Sequence, residues 1–554
     1  MNNAQLQVTQ LLSIRNRFGN QTTAEKVRLL TVINIEKVNS KKALQELYSV
    51  LLFIIAYPDN KTIRKLASQL LAKLQAHIQA NENLQYYLYN SGITGTTVCA
   101  AFSFELVKWL RKNRRNEIRL RSFEAVDEQI QAVLSVVMSK AESEILQDAN
   151  AEWTGWLKKM KRADEDLLDQ LIDIFDSSSI RPEVKEQLWS TIGINIEINF
   201  ASHCSLPQSV RQLYCHRSLV RKQIKQQPMA KPVQVKLTRE EAEQIIDCGR
   251  MILVRKLREL DPISFTAPDF VSFYHLPKGL SIALTGMVPD HRHPIDSYMG
   301  YLVFKNGLPV AYAGSWILFD SARIGLNVFA DYRGGEARYI FEQVLLLHAK
   351  IYGLKRFTAD PYQIGKENSD GIHSGAFWIY YQAGFRPLQK EQRELAASEE
   401  VKIKNIQGYR SPANVLKTLA NSRMELILKK TAVNFDATDL SRAYAGIVTK
   451  KFKGKRNLAE KDTVKKLADI LGIKNYREEN LDFVLKSWAV LLLSKERELR
   501  KNNAIKEKLK RLFVLKAGGS EEMYIAALQQ APELRKFLET VLKEYAGLLN
   551  RHKK

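Results

Sequence analysis

Through the first 220 positions aliphatic residues recur at steps of three and four, and Ile63, Leu66, Leu70, Leu71, Leu74 and Ile78 line one side of a helix. Tyr57-Pro58-Asp59-Asn60 supplies turn chemistry just ahead of it. Similar patterns from Glu105 to Leu110, Asp127 to Val137 and Leu167 to Phe175 predict stacked helical pairs, without a period clean enough for a named repeat. Residues 1–220 are expected to form an α-helical domain. The stretch 221–237 carries prolines and glutamines and few apolar residues, the composition of a linker. Thr238 and Glu241 then form a capping box that opens a helix over Glu240 to Glu259.

From about residue 280 the period falls to two. Tyr298 to Lys305 and Leu308 to Gly314 read as strands joined at Asn306-Gly307, residues that accept the positive φ angles of a type I′ turn. A further strand, Ala322 to Phe329, leads through Asp331-Tyr332-Arg333-Gly334-Gly335-Glu336-Ala337 into a helix from Arg338 to Tyr352 and a strand from Arg356 to Ala359. The aromatic segment Ala376 to Phe385 is a helix ended by Gly384, with Phe377, Trp378 and Phe385 expected in the core. Residues 238–430 make a central α/β domain with a mixed sheet, and 431–554 a basic, α-helical C-terminal domain. The chain is multidomain.

Charge adds one element to this picture. Lys and Arg number 84 against 60 Asp and Glu, a net charge of +24, and basic runs recur in all thirds of the chain, Lys450 to Arg456 and Lys506 to Arg511 among them. Solvated helix faces account for such runs, and a nucleic acid bound through the basic C-terminal region is the other reading. The longest apolar runs are the size of buried helix turns, so no membrane span is expected. Four cysteines at irregular spacing and no secretory signal at the amino terminus point to reduced thiols and a cytoplasmic location.

A strand, a glycine-bearing turn and a helix together build an anion site, because the first amides of the helix point outward unpaired. Gly334 and Gly335 stand at that turn. With the later Ala376, Tyr380, Gly384 and Phe385, spaced as Ala-x-x-x-Tyr-x-x-x-Gly-Phe, the region from Thr238 to Ile427 resembles the GNAT superfamily of N-acyltransferases. The resemblance implies acetyl-CoA or another acyl-CoA as co-substrate and a small-molecule or protein amine as acceptor. It implies that the amides of Arg333, Gly334, Gly335, Glu336 and Ala337 hold the pyrophosphate. The splayed fourth strand, with Asn327 and Phe329, would follow the pantetheine arm. Tyr380 would protonate the departing thiolate, which a phenol neutral at pH 7 is suited to do.

Asp360, at the end of the strand after the long helix, and His373 are the candidate general bases. Tyr332 stands where the family has Gln or Arg, and His373 where it often has Asn. A transferase fed by charged tRNA or a carrier protein, and a non-catalytic GNAT-like scaffold, are the alternatives. Asp290-His291-Arg292-His293 lacks a second ligand cluster, and His203-Cys204 with Cys215-His216 fits no short-knuckle spacing, so no metal is expected.

Overall fold

The computed structural model describes residues 3–146, 152–160, 166–200, 204–220, 232–429 and 435–545. Helices Asn3–Ile14, Asn20–Val32, Lys41–Ala56, Lys61–Gln79 and Glu82–Tyr87 open the chain. In Lys61–Gln79 the buried residues are Ile63, Ala67, Leu70, Leu71, Leu74 and Ile78, and the Asn60 side chain caps its start by accepting from the Ile63 amide at 2.9 Å. Lys41–Ala56 is apolar nearly all round and runs through the interior, as a helix with no polar face must.

The first 220 residues are not helical throughout. Strands β1 (Thr97–Ala101), β2 (Ile118–Phe123) and β3 (Ile194–Asn199) form an antiparallel sheet in the order β1-β3-β2, packed against helices such as Phe104–Asn113 and Pro182–Ile192 around Trp153, Trp189 and Phe175. Ile194, Ile196 and Ile198 alternate with polar residues and turn one face of β3 inward. Of the expected linker, residues 221–231 lie outside the described residues. Its last part is β4 (Val233–Val235), the edge of the large sheet.

That sheet adds β5 (Val271–Leu276), β6 (Leu280–Thr285), β7 (Ser297–Lys305), β8 (Leu308–Leu318), β9 (Ser321–Ile324), β10 (Asn327–Val328), β11 (Arg356–Ala359), β12 (Arg386–Pro387) and β13 (Met424–Ile427). Its order is β12-β13-β11-β9-β8-β7-β6-β5-β4, with β10 beside β8. Asn306 and Gly307 turn β7 into β8 with φ of 49° and 87°, as a type I′ turn requires. Every pairing is antiparallel except β9 with β11, whose crossover contains helix Ala337–Ile351. The sheet is mixed for that one reason.

The helices of residues 3–93 share one continuous apolar core with the large sheet and its helices. The C-terminal helices, Ala437–Phe452 through Pro532–Tyr545, bury their own core around Trp488, Phe513 and Leu538. This bundle is docked rather than trailing: Trp488 Nε1 donates to the Pro294 carbonyl at 3.0 Å, and Arg535 pairs with Asp320 at 2.6 Å. Among the described residues no helix is long and apolar enough to cross a membrane.

Candidate functional site

The strand expected over Ala322 to Phe329 is interrupted. β9 and β10 hold the same register on β8, Ile324 facing Ser315 and Asn327 facing Tyr312, while between them Gly325 and Leu326 make no full strand pair, the Gly325 amide alone still donating to the Gly314 carbonyl at 3.3 Å. β11 follows β9 only as far as the pair Thr358 and Arg323, so the two parallel strands part where β9 breaks. The Tyr301 hydroxyl donates to the Gly325 carbonyl, and Gln363 packs so closely that a β-carbon on Gly325 would lie 2.8 Å from its Oε1.

Tyr380 is directed at this break. It lies on helix Ala376–Gln382, 1% exposed, with its ring against Phe341 at 4.7 Å and Phe385 at 5.4 Å. Its hydroxyl has no hydrogen-bond partner of good geometry. Burial pushes the phenol above its ordinary range, the Leu326 backbone pulls the other way, and Asp360 adds to the upward push. The proton therefore stays on the oxygen at neutral pH. The neighbouring Tyr381 differs: its hydroxyl donates to Glu400 at 3.1 Å. Phe377 and Phe385 are buried, and Trp378, half-buried, donates from Nε1 to Ser411 at 3.2 Å.

Asp360 stands just ahead of the short turn Pro361–Ile364 without a side-chain capping bond, its carboxylate held between Arg423 at 3.0 Å and Arg323 at 3.3 Å. His373 is exposed on helix Ser369–Ser374 with Nδ1 2.7 Å from the Ser369 carbonyl. It lies near Asp370, whose carboxylate is held below its ordinary range by Arg333 at 2.7 Å. The structure thus brings Asp360 into electrostatic reach of Tyr380 and assigns His373 to the Arg333 end. Asn327 is exposed on β10, and Phe329 is buried with its ring stacked on Tyr312 at 5.1 Å.

The glycine turn has two unlike sides. Gly334 has φ of 83°, and a β-carbon there would meet nothing nearer than Arg15 Nη2 at 3.8 Å. At Gly335 a β-carbon would stand 3.0 Å from the Tyr332 carbonyl and from the ring of Tyr57. Tyr57 ends helix Lys41–Ala56, and Arg15 donates to the Arg333 carbonyl at 2.9 Å, so the amino-terminal helices reach this turn. Glu336 turns its carboxylate inward, taking Lys305 Nζ at 2.6 Å and the Val220 amide at 2.8 Å. Both partners of that ion pair are fully buried. Ala337 starts the helix and is half-buried.

Sequence reasoning missed Tyr57, Arg15, Tyr301 and Gln363, which come from separate elements. Only Gln363 carried a local signal, its place in the loop after Asp360. A cleft of about 590 Å³ also lies between the three-stranded unit, the central domain and the C-terminal bundle, lined by Glu124, Glu186, Glu259, Asp261 and His291 among others. Burial pushes the Glu186 carboxyl up to about 7. A chain of packed side chains leads from the cleft to Asp360: His293 on Tyr298 at 5.4 Å, Tyr298 stacked on Trp316 at 4.2 Å, and Arg323 over Trp316 at 4.4 Å. His291 stacks on Phe265 at 4.3 Å and His293 meets Asp296 at 3.1 Å. Among the described residues no three His, Cys, Asp or Glu side chains converge as metal ligands, and His203 lies outside them. Set against protein-family models, curated proteins and solved structures, the chain finds no match.

Proposed function

We propose that the central domain is an N-acyltransferase that moves an acyl group from acyl-CoA, with acetyl-CoA the simplest donor, directly onto an amine. The observation that carries this reading is the buried hydroxyl of Tyr380, with only the Leu326 backbone beside it and no acceptor for its proton, at the place where β9 gives way to β10 and parts from β11. A buried hydroxyl whose proton has no acceptor is costly, and a group arriving beside Leu326 would complete it. The fit to CoA is good at Gly334, where the backbone is open, and poor at Gly335, where Tyr57 already sits.

In this reading the amine attacks the thioester carbon, the C–S bond breaks, and Tyr380 gives its proton to the leaving sulfur. Asp360 is the better-sited acceptor for the amine's proton, since His373 belongs to the Arg333–Asp370 pair. The outer amides of Arg333 to Ala337 would meet the pyrophosphate, with Arg333 beside them, and the backbone of Asn327 to Phe329 would follow the pantetheine arm. Positioning and hydrogen bonds to the thioester oxygen would supply most of the rate.

A second reading, a GNAT-like scaffold without CoA, is favoured by the Tyr57 ring against Gly335. Calorimetric titration of the full chain with acetyl-CoA separates the two. Saturable binding that Arg333→Ala weakens supports the transferase. Absence of binding at millimolar acetyl-CoA leaves the scaffold.

A further inference from the structure

The C-terminal bundle carries a groove that acyl transfer does not use. Helices Arg456–Leu471 and Glu479–Leu493 pack side by side, joined through residues 472–478, and a groove of about 570 Å³ lies along them. Asn457, Lys461 and Lys465, at steps of four, share the face of the first helix that borders it. Lys486 stands on the second helix, and Tyr476 and Arg477 come from the connection. We propose that this groove binds single-stranded nucleic acid, with the lysines and Arg477 on its phosphates and a base stacked on Tyr476.

The charge in the groove is available to a ligand. Two carboxylates line it, Glu460, which accepts from the Tyr444 hydroxyl at 3.0 Å, and Asp482, which pairs with Lys486. Lys461, Lys465 and Arg477 are exposed, and among the described residues no carboxylate pairs with any of them. Four cations against two carboxylates leave the groove positive. Lys461 and Lys465 stand about one helical turn, ~6 Å, apart along the axis, so neighbouring phosphates of an extended strand can each meet one. Lys453, Lys455 and Arg456, all exposed, precede Asn457 and carry the positive charge past the mouth of the groove. A line of cations that continues in this way suits a polyanion rather than one small anion.

The aromatic residue selects among polyanions. Tyr476 is half-buried at the edge of the bundle core, and the Arg477 guanidinium lies 6.0 Å from its ring centroid. A tyrosine ring beside a guanidinium in a cationic groove is a platform for an unpaired base. In a duplex the base faces are stacked on one another, so a single strand is the form that reaches such a ring. A lipid surface would meet the lysines but offers nothing flat to a ring recessed between helices. The proposal does not depend on the acyl-transfer reading.

The test is fluorescence anisotropy of the full-length protein with a labelled oligouridylate of about twelve nucleotides, repeated over a range of salt concentrations. The expected result is saturable binding that weakens steeply with salt. Lys461→Gln with Lys465→Gln should lower the slope of log affinity against log salt by about 1.4, two phosphate contacts on a single strand. Tyr476→Ala should weaken binding about tenfold or more with the slope unchanged, and Tyr476→Phe, which keeps the ring, should restore it. The lysine variant decides the matter even where Tyr476→Ala fails to fold. No saturable binding at low salt, equal affinity for a duplex of the same length, or phosphatidylserine vesicles bound in preference to the oligonucleotide overturns the proposal. An affinity that either folded variant leaves unchanged also overturns it.

Discussion

Replacing Tyr380 by Phe removes one oxygen from an almost fully buried site. An unsatisfied buried polar group costs about 1–3 kcal/mol, and loss of its volume returns part of that, so the variant should gain about 1 kcal/mol in stability. For a unit the size of the central domain this raises Tm by roughly 2–4 °C. Turnover should move the other way, falling about a hundredfold or more if the hydroxyl is the proton donor. Tyr381→Phe is the control, because its hydroxyl is bonded to Glu400. It should lose about 1 kcal/mol and keep its turnover. Thermal unfolding of the three proteins, with turnover measured on acetyl-CoA and a responsive amine after CoA affinity is matched, reads both effects. A lower Tm in Tyr380→Phe with wild-type turnover would mean that the hydroxyl is bonded to the Leu326 backbone and serves the core alone.

Lys305→Met leaves the Glu336 carboxylate buried and unpaired and should cost about 3–5 kcal/mol in denaturant unfolding. Adding Glu336→Gln, which still accepts from the Val220 amide, should restore most of it, and equal stability of the single variant and wild type would discount the pair. Burial, then Lys305 and Lys278, hold His216 at about 3 against an ordinary 6.5, among Phe18, Tyr57, Tyr214 and Glu336. A depressed histidine stabilises the fold fully above 6.5, and that contribution is lost as pH falls from 6.5 toward 3. His216→Phe should flatten the stability profile in that window, and identical profiles would contradict the assignment. Lys453, Lys455 and Arg456 are exposed on the C-terminal bundle, so changing all three to Glu should abolish RNA retention at low salt without disturbing the core. Retention equal to wild type, or none in the wild type, would make the run a solvated face.

Local signals determined much of this protein. The Asn306-Gly307 hairpin, the Thr238–Glu241 capping box, the amphipathic face of Lys61–Gln79 and the glycine-ended aromatic helix each depend on residues a few positions apart, and each formed as its pattern required. The strand β3 also had its signal in the alternation of Ile194, Ile196 and Ile198, which a helical reading of the first 220 residues passed over. Only the tertiary structure decided the rest. Tyr57 meets Gly335, Glu336 meets Lys305, and Arg15 meets Arg333, because packing one continuous core brings distant segments to the same place. Whether the glycine turn is open or covered is set by helices that begin more than two hundred residues earlier in the chain. Periodicity fixes which face of an element is apolar, whereas the partner buried against that face is chosen by shape and by the pairing of polar groups that have lost their water.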